Sequence, residues 1–339
     1  MLSTCIIAEI GVNHNGSVKL AMDLVDICAD AGVDIVKFQT FSAERLVSKD
    51  APKADYQIKW DGSGKQFEML KGLELSESDH RALKRHCVKK EVEFLSTGFD
   101  EIDLAMLVKL GIKRIKIPSG EMNNLPLLRV VAGYQLPVLM STGMASLQEV
   151  EKSVAALFQS GLPENYLTIL HCTSSYPAPD EDLNLNAIAT LKKHFGLAVG
   201  YSDHSVGIEA SFVAASLGAT VIEKHVTLDR NLPGPDHQSS IEPGELRELV
   251  RFIRRKDTMM GSGAKKPTSN ELANAAIARK SIVAKQNIKK GDLLHPENIC
   301  TKRPGKGLSP MHWDEIIGSK AVKDYVVDEK IIKGNKEDD

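Results

Sequence analysis

LAVGYSDHSVGIEASFVAASLGATVIEKHVTLD, residues 197–229, contains one structural unit in full. Residues 197–200 and 220–223 are short apolar and β-branched runs that read as strands, and the helix-forming segment between them stops at Gly218. Strand, polar turn, helix, strand is a β/α unit of a parallel sheet. The same alternation extends in both directions and predicts eight strands, at 5–9, 33–38, 92–96, 113–117, 136–140, 167–171, 197–200 and 220–223. The intervening helices have legible ends. Ser17 can cap one whose Leu20, Leu24, Ile27 and Cys28 share a face and which Gly32 stops; Ser146 and Glu149 form an S-x-x-E capping box; Gly111 ends another and Pro243 opens the last. Eight such units over roughly 250 residues predict a (β/α)8 TIM barrel. The alternative, a doubly wound open sheet, calls for a Gly-rich phosphate loop after the first strand, and AEIGVNHNG from Ala8 does not fit G-x-G-x-x-G.

From Gly261 the texture changes. Residues 261–280 read as a linker carrying a short Ala-rich helix, and residues 281–339 as a small β-rich module punctuated by Gly291, Pro296, Pro304, Gly305, Gly307 and Pro310. The expected organisation is therefore a catalytic barrel at 1–260, the linker, and a terminal module with little core of its own, its tail from Gly334 frayed.

Composition narrows the function. The chain has 339 residues, 42% hydrophobic and 26% charged, as a folded enzyme-sized protein does. Lys and Arg total 43 against 45 Asp and Glu, too balanced for a nucleic-acid footprint. The most apolar stretch, 206–222, is interrupted by Glu209 and too short to span a bilayer, and the first ten residues lack the basic flank of a signal peptide. Five cysteines with no C-x-x-C argue against a disulfide framework or a zinc knuckle, so a cytoplasmic protein with reduced thiols is expected.

In such barrels the side chains at the C-terminal strand ends face the active site. Here every end is polar: Glu9, Asn13 and His14; Lys37 and Gln39; Ser96 and Thr97; Lys116, Ser119 and Glu121; Ser141 and Thr142; His171, Ser174 and Tyr176; Ser202, Asp203 and His204; Glu223, Lys224 and His225. Lysines among Ser and Thr suit a small phosphorylated substrate, the alternative being lysines that are solvated or paired with Glu9 or Glu121. His204 and His225 close neighbouring strands and can converge on a divalent metal with open positions, or serve as acid–base or core residues. Asp203 and Asp236 could support that metal or bind substrate hydroxyls. Cys172 reads as core, because it and His171 point opposite ways along a strand. His80, His86 and His194 read as surface residues, and Trp60 and Trp313 as packing anchors.

Taken together, AEIGVNHNG, VKFQTF, FLSTGFD, KIPSGEMNN, LMSTGM, LHCTSSYPAP, GYSDHSVG, IEKHVTLD and GPDHQSSIEP, starting at residues 8, 36, 94, 116, 139, 170, 200, 222 and 234, resemble the sialic acid synthase family. RKSIVAKQNIKKGDLL from Arg279 and KRPGKGLSP from Lys302 resemble its antifreeze-like SAF domain. The resemblance implies an N-acetylneuraminate synthase, condensing phosphoenolpyruvate with N-acetylmannosamine and releasing phosphate. It further implies a Mn²⁺ or Mg²⁺ ion on His204 and His225, and a domain-swapped homodimer. Phosphoenolpyruvate would meet Lys37, Thr97, Lys116, Ser119, Ser141, Ser174 and Ser202. The sugar would meet Gln39, Tyr176, Asp236 and Arg303, the last from the partner's small domain. Glu121 and Glu9 are typed to support a cationic carbon or orient water. FLSTGFD departs from the family in having Gly98 where proline is common, which predicts a looser third loop. The alternatives are an N,N'-diacetyllegionaminate synthase using 2,4-diacetamido-2,4,6-trideoxymannose, a Schiff-base aldolase on Lys37, Lys116 or Lys224, and a non-enzymatic sugar-binding barrel.

Overall fold

Eight parallel strands close on themselves in chain order: β1 (Cys5–Gly11), β2 (Ile35–Thr40), β3 (Glu93–Gly98), β4 (Ile115–Ile117), β5 (Val138–Ser141), β6 (Leu167–Cys172), β7 (Ala198–Asp203) and β8 (Val221–His225). A β1–β8 ladder running from Cys5 opposite Val221 to Glu9 opposite His225 completes the barrel, which excludes the open-sheet alternative. The computed structural model describes residues 3–54, 57–58 and 62–334. Trp60 and residues 335–339 lie outside them, as do the expectations placed there.

Strand alternation divides the side chains into two sets. Outward ones such as Ile6, Ala8, Val36, Phe94, Ile169 and Ile222 pack beneath the helices. Inward ones begin with an apolar floor of Ile7, Ile35, Leu95, Leu139, Leu170 and Val221. Gly200 shares this interior because Leu170 fills its place: a Cβ there would lie 2.6 Å from Leu170 Cδ2 and 2.7 Å from the Val221 carbonyl oxygen. Above the floor the interior turns polar, with Glu9, Lys37, Thr97, Lys116, Ser141, Ser202 and Glu223 all buried.

Most strands run further toward the mouth than their apolar residues predict. β1 continues to Gly11, β7 to Asp203 and β8 to His225. Polar side chains at these positions resemble loop in a one-dimensional pattern, yet the ladder and the barrel interior hold them. Ser17 caps the helix Val18–Ala31, whose buried stripe is Ala21, Leu24, Val25 and Cys28, with Leu20 and Ile27 at its margins. The Ser146–Glu149 capping box is present, and Pro243 begins the helix Pro243–Met260. Gly98 corrects the expected loose loop: a Cβ there would meet Leu104 side-chain and backbone atoms at 3.1 Å, so the chain passes tightly.

His80 is not a surface residue but fully buried, with Nε2 3.1 Å from Thr40 Oγ1, which in turn lies 2.7 Å from Ser96 Oγ. His86 is half-buried against Asp26, whereas His194 is exposed beside Glu151. No helix among the described residues is long and apolar enough to cross a membrane.

The chain divides into two compact units, Met1–Ser262 and Gly263–Asp339. The second contains the helix Ser269–Ala278 and an antiparallel pair, β9 (Ser281–Ala284) and β10 (Ile299–Lys302). Against the expectation of little core, this unit buries one of its own from Ile282, Ile288, Leu294, Ile299, Ile316, Tyr325 and Ile331, with Trp313 packed against it, because turns and short strands fold these apolar residues onto one another.

Candidate active site

Directly above the apolar floor, two lysines and two carboxylates share the barrel interior. Lys37 Nζ lies 2.8 Å from Glu9 Oε2 and 3.7 Å from Glu223 Oε2, and donates to Thr97 Oγ1 at 3.3 Å. Lys116 Nζ lies 3.6 Å from Glu223 Oε1 and donates to Ser141 Oγ at 2.7 Å. Ser202 Oγ donates to Glu223 Oε1 at 2.9 Å, and Gln39 Nε2 to Glu9 Oε1 at 3.2 Å. Both lysines turn into the interior and both are paired, Lys37 with Glu9 as one sequence alternative has it and Lys116 with Glu223 instead of Glu121.

Burial works differently on the two carboxylates. It pushes Glu9 up to about 7, with the nearby charge of Glu223 adding to the push and Lys37 opposing it. Burial also opposes the charge on Glu223, but Lys116, Lys37 and the Ser202 hydrogen bond outweigh it and hold that group at about 2. The two carboxylates are thus pushed in opposite directions, an arrangement of the kind that general acid–base chemistry uses.

Nearer the mouth stand the histidines, their ring centroids 5.7 Å apart. His204 Nδ1 donates to the Thr173 carbonyl at 2.7 Å. That fixes the proton on Nδ1 and leaves Nε2 as a lone pair, 3.3 Å from Tyr176 OH and 3.4 Å from Ser202 Oγ. Burial lowers His204 to about 4 and puts His225 well below the ordinary imidazole value, so both rings are neutral at pH 7. His225 Nδ1 is buried without a hydrogen-bond partner, and Asp236 Oδ2 lies 4.0 Å away. Burial raises Asp236 to about 6 against the pull of Lys37. Two neutral imidazoles with available lone pairs fit a divalent cation. Among the described residues no three His, Cys, Asp or Glu side chains form a complete metal cage, so water and substrate oxygens would fill the remaining positions.

The hydroxyls on the other side of the mouth gather at Gly143. Its N–H donates to Ser119 Oγ at 3.0 Å, and a Cβ on it would collide with Ser174 Oγ, Ser119 Oγ and Cys172 Sγ. Cys172 is buried, with Sγ 3.2 Å from Ser119 Oγ, while His171 on the opposite face of β6 meets the Leu183 carbonyl. A cavity of about 480 Å³ opens at this corner, lined in part by Thr142, Cys172 and Ser174.

Two candidates stand apart from the charged layer. Glu121 sits half-buried on the turn after β4, where Oε2 accepts Asn124 Nδ2 at 2.6 Å. Arg303 belongs to the second unit and is exposed there. Lys224 turns to the outside of the barrel, buried 3.1 Å from Asp203, which removes it from the possible Schiff-base lysines. Glu223, named among the polar strand ends but given no role from the sequence, is the residue missing from the assigned site. Its signal was present: it stands two residues before His225 on the same strand face, in register with Ser202.

A closed (β/α)8 barrel with charge pairs buried beneath a histidine-lined mouth has the architecture of a barrel enzyme. The chain belongs to the NeuB family, whose model matches residues 24–265, and a SAF domain follows at 279–329. It is an enzyme of the sialic acid synthase type. It is 47% identical over 332 residues to N,N'-diacetyllegionaminic acid synthase of Campylobacter jejuni, covering 98% of this chain and 99% of that one. It is 48% identical over 321 residues to the synthase of the same name from Legionella pneumophila, covering 94% and 90%. The solved N-acetylneuraminic acid synthetase of Leptospira borgpetersenii superposes with a TM-score of 0.72 at 36% identity, covering 80% of this chain and 90% of that one. These identities favour the legionaminate alternative over the neuraminate expectation.

Proposed function

We propose that this enzyme condenses phosphoenolpyruvate with 2,4-diacetamido-2,4,6-trideoxymannose to form N,N'-diacetyllegionaminate and phosphate. The sugar assignment rests on the 47% and 48% identities to two legionaminic acid synthases over nearly the whole chain. Phosphoenolpyruvate is assigned on the buried charged layer, where Lys37 and Lys116 offer cationic donors and Thr97, Ser141 and Ser202 offer hydroxyls. Ser119 and Ser174 extend those donors toward the mouth. Gln39, Tyr176 and Asp236 stand around the histidines, where the sugar would lie.

C3 of phosphoenolpyruvate forms the new bond to the sugar aldehyde carbon, the aldehyde oxygen becomes a hydroxyl, water adds at C2 and phosphate leaves by C–O cleavage. Glu9, raised by burial, can give or take a proton, and Glu223, held toward its charged form by both lysines, can offset positive charge developing at C2. Glu121 is a further candidate to orient the water. A Mn²⁺ or Mg²⁺ ion held by His204 and His225 would supply electrophilic pull on the aldehyde oxygen. The same reading includes a cytoplasmic homodimer in which a second copy supplies Arg303 to the sugar; a monomer by light scattering would remove that role.

The test is phosphate release by metal-stripped protein, with and without Mn²⁺, given phosphoenolpyruvate and either the diacetamido sugar or N-acetylmannosamine. Metal-dependent release that favours the diacetamido sugar is expected. Preference for N-acetylmannosamine would return the assignment to neuraminate synthesis, and no release with either sugar would overturn the condensation itself.

A further inference from the structure

The last rung of the β7–β8 ladder is Asp203 opposite Lys224, and the histidines follow one residue later on each strand. Because faces alternate, His204 and His225 turn inward while Asp203 and Lys224 turn outward under the helical layer. On that outer face most neighbours are apolar, yet Lys224 Nζ lies 3.1 Å from Asp203 Oδ2 with both side chains essentially inaccessible to water. The pair extends into the chain beyond the ladder. Asp203 Oδ1 accepts the Ser205 N–H at 2.9 Å and the Ser205 hydroxyl at 2.6 Å, Asp203 Oδ2 accepts Ser211 Oγ at 2.5 Å, and Lys224 Nζ donates to the Ser205 carbonyl at 2.6 Å. His204 is therefore enclosed between two residues held by this cluster.

We propose that Asp203 and Lys224 are positioning residues: their ion pair clamps β7 to β8 at the last rung the two strands share, setting His204 and His225 at the separation that a shared divalent cation needs. The inference rests on the cation reading given above. General energetics favour a positional role over a purely stabilising one. A buried ion pair contributes little net stability compared with well-packed apolar residues of similar size. Apolar residues, however, could not grip the Ser205 N–H, hydroxyl and carbonyl, and these bonds hold the segment that carries His204. Groups that orient metal ligands typically change metal affinity when removed.

The experiment measures Mn²⁺ affinity of the full-length protein by electron paramagnetic resonance of the free ion, alongside the thermal unfolding temperature. Lys224→Met and Asp203→Asn should each weaken Mn²⁺ binding by about 10- to 100-fold, the double variant no more than the worse single one, with turnover recovering at saturating Mn²⁺. Arg114→Met is the control for stability alone, because Arg114 pairs with Glu93 at 2.7 and 3.0 Å at the opposite end of β3 and β4. It should lower the unfolding temperature and leave Mn²⁺ affinity unchanged. If Lys224→Met does not fold, Ser211→Ala takes its place, removing one bond to Asp203 and weakening Mn²⁺ binding severalfold. Unchanged affinity in the folded variants, with tight wild-type binding that His225→Ala abolishes, overturns the positioning role alone. A wild-type protein that binds no Mn²⁺ overturns the cation reading and the positioning role together.

Discussion

Glu223 touches both lysines of the interior, and no other carboxylate there does so at comparable distances among the described residues. Glu223→Gln keeps the acceptor for Ser202 but removes the counter-charge, leaving two buried lysines facing Glu9 alone. Turnover should fall about 100-fold while the KM for phosphoenolpyruvate holds or drops, since the substrate would meet a more positive surface. Steady-state kinetics at saturating Mn²⁺ decide it, and an unchanged kcat would remove Glu223 from the chemistry. His80 acts on stability instead. Burial holds its imidazole at about 4, below the value near 6.5 it regains on unfolding. Between those values the unfolded chain binds a proton that the folded chain refuses. Stability is therefore full above pH 6.5 and is lost as pH falls toward 4, by on the order of 3 kcal/mol for this one group. His80→Gln should flatten that part of the pH profile in urea unfolding, and an unaltered slope would show that other groups govern it.

At the scale of elements, the strands owe their register to alternation between apolar side chains packed under the helices and those of the interior floor. Gly200 exists in β7 because Leu170 and the Val221 carbonyl leave no room for a Cβ. Gly200→Ala should destabilise the barrel by about 1–3 kcal/mol through overpacking, with little effect on kcat in the surviving fold. Thermal melts check the first part and assays at low temperature the second. Helix ends were legible because capping is local: Ser17, the Ser146–Glu149 box and Gly32 act on backbone groups within one turn. The strand ends at Asp203 and His225 were less so, since a polar run near a glycine has the same composition whether it is a turn or the upper wall of a barrel.

For the whole molecule, two units with separate apolar cores meet in a stretch, residues 261–268, that is exposed throughout and contains no helix or strand. Limited trypsinolysis should cut first after Lys265, within that stretch. Mass spectrometry of the earliest fragments tests this, and first cleavage outside residues 261–268 would contradict it. The chain alone determined the eight alternating units, the barrel and the polar character of every strand end, because periodicity, caps and turns are short-range properties. It also placed Lys37, Lys116, His204 and His225 among the residues of interest through their positions at strand ends. The sequence did not specify which charges meet. Glu223 between two lysines, Lys224 turned outward to Asp203 and His80 buried against Thr40 all depend on contacts between strands and helices far apart in the chain. Barrel closure brings Glu223 and the two lysines into one low-dielectric interior, while the helices packed on its outer face bury Lys224 with Asp203 and His80 with Thr40.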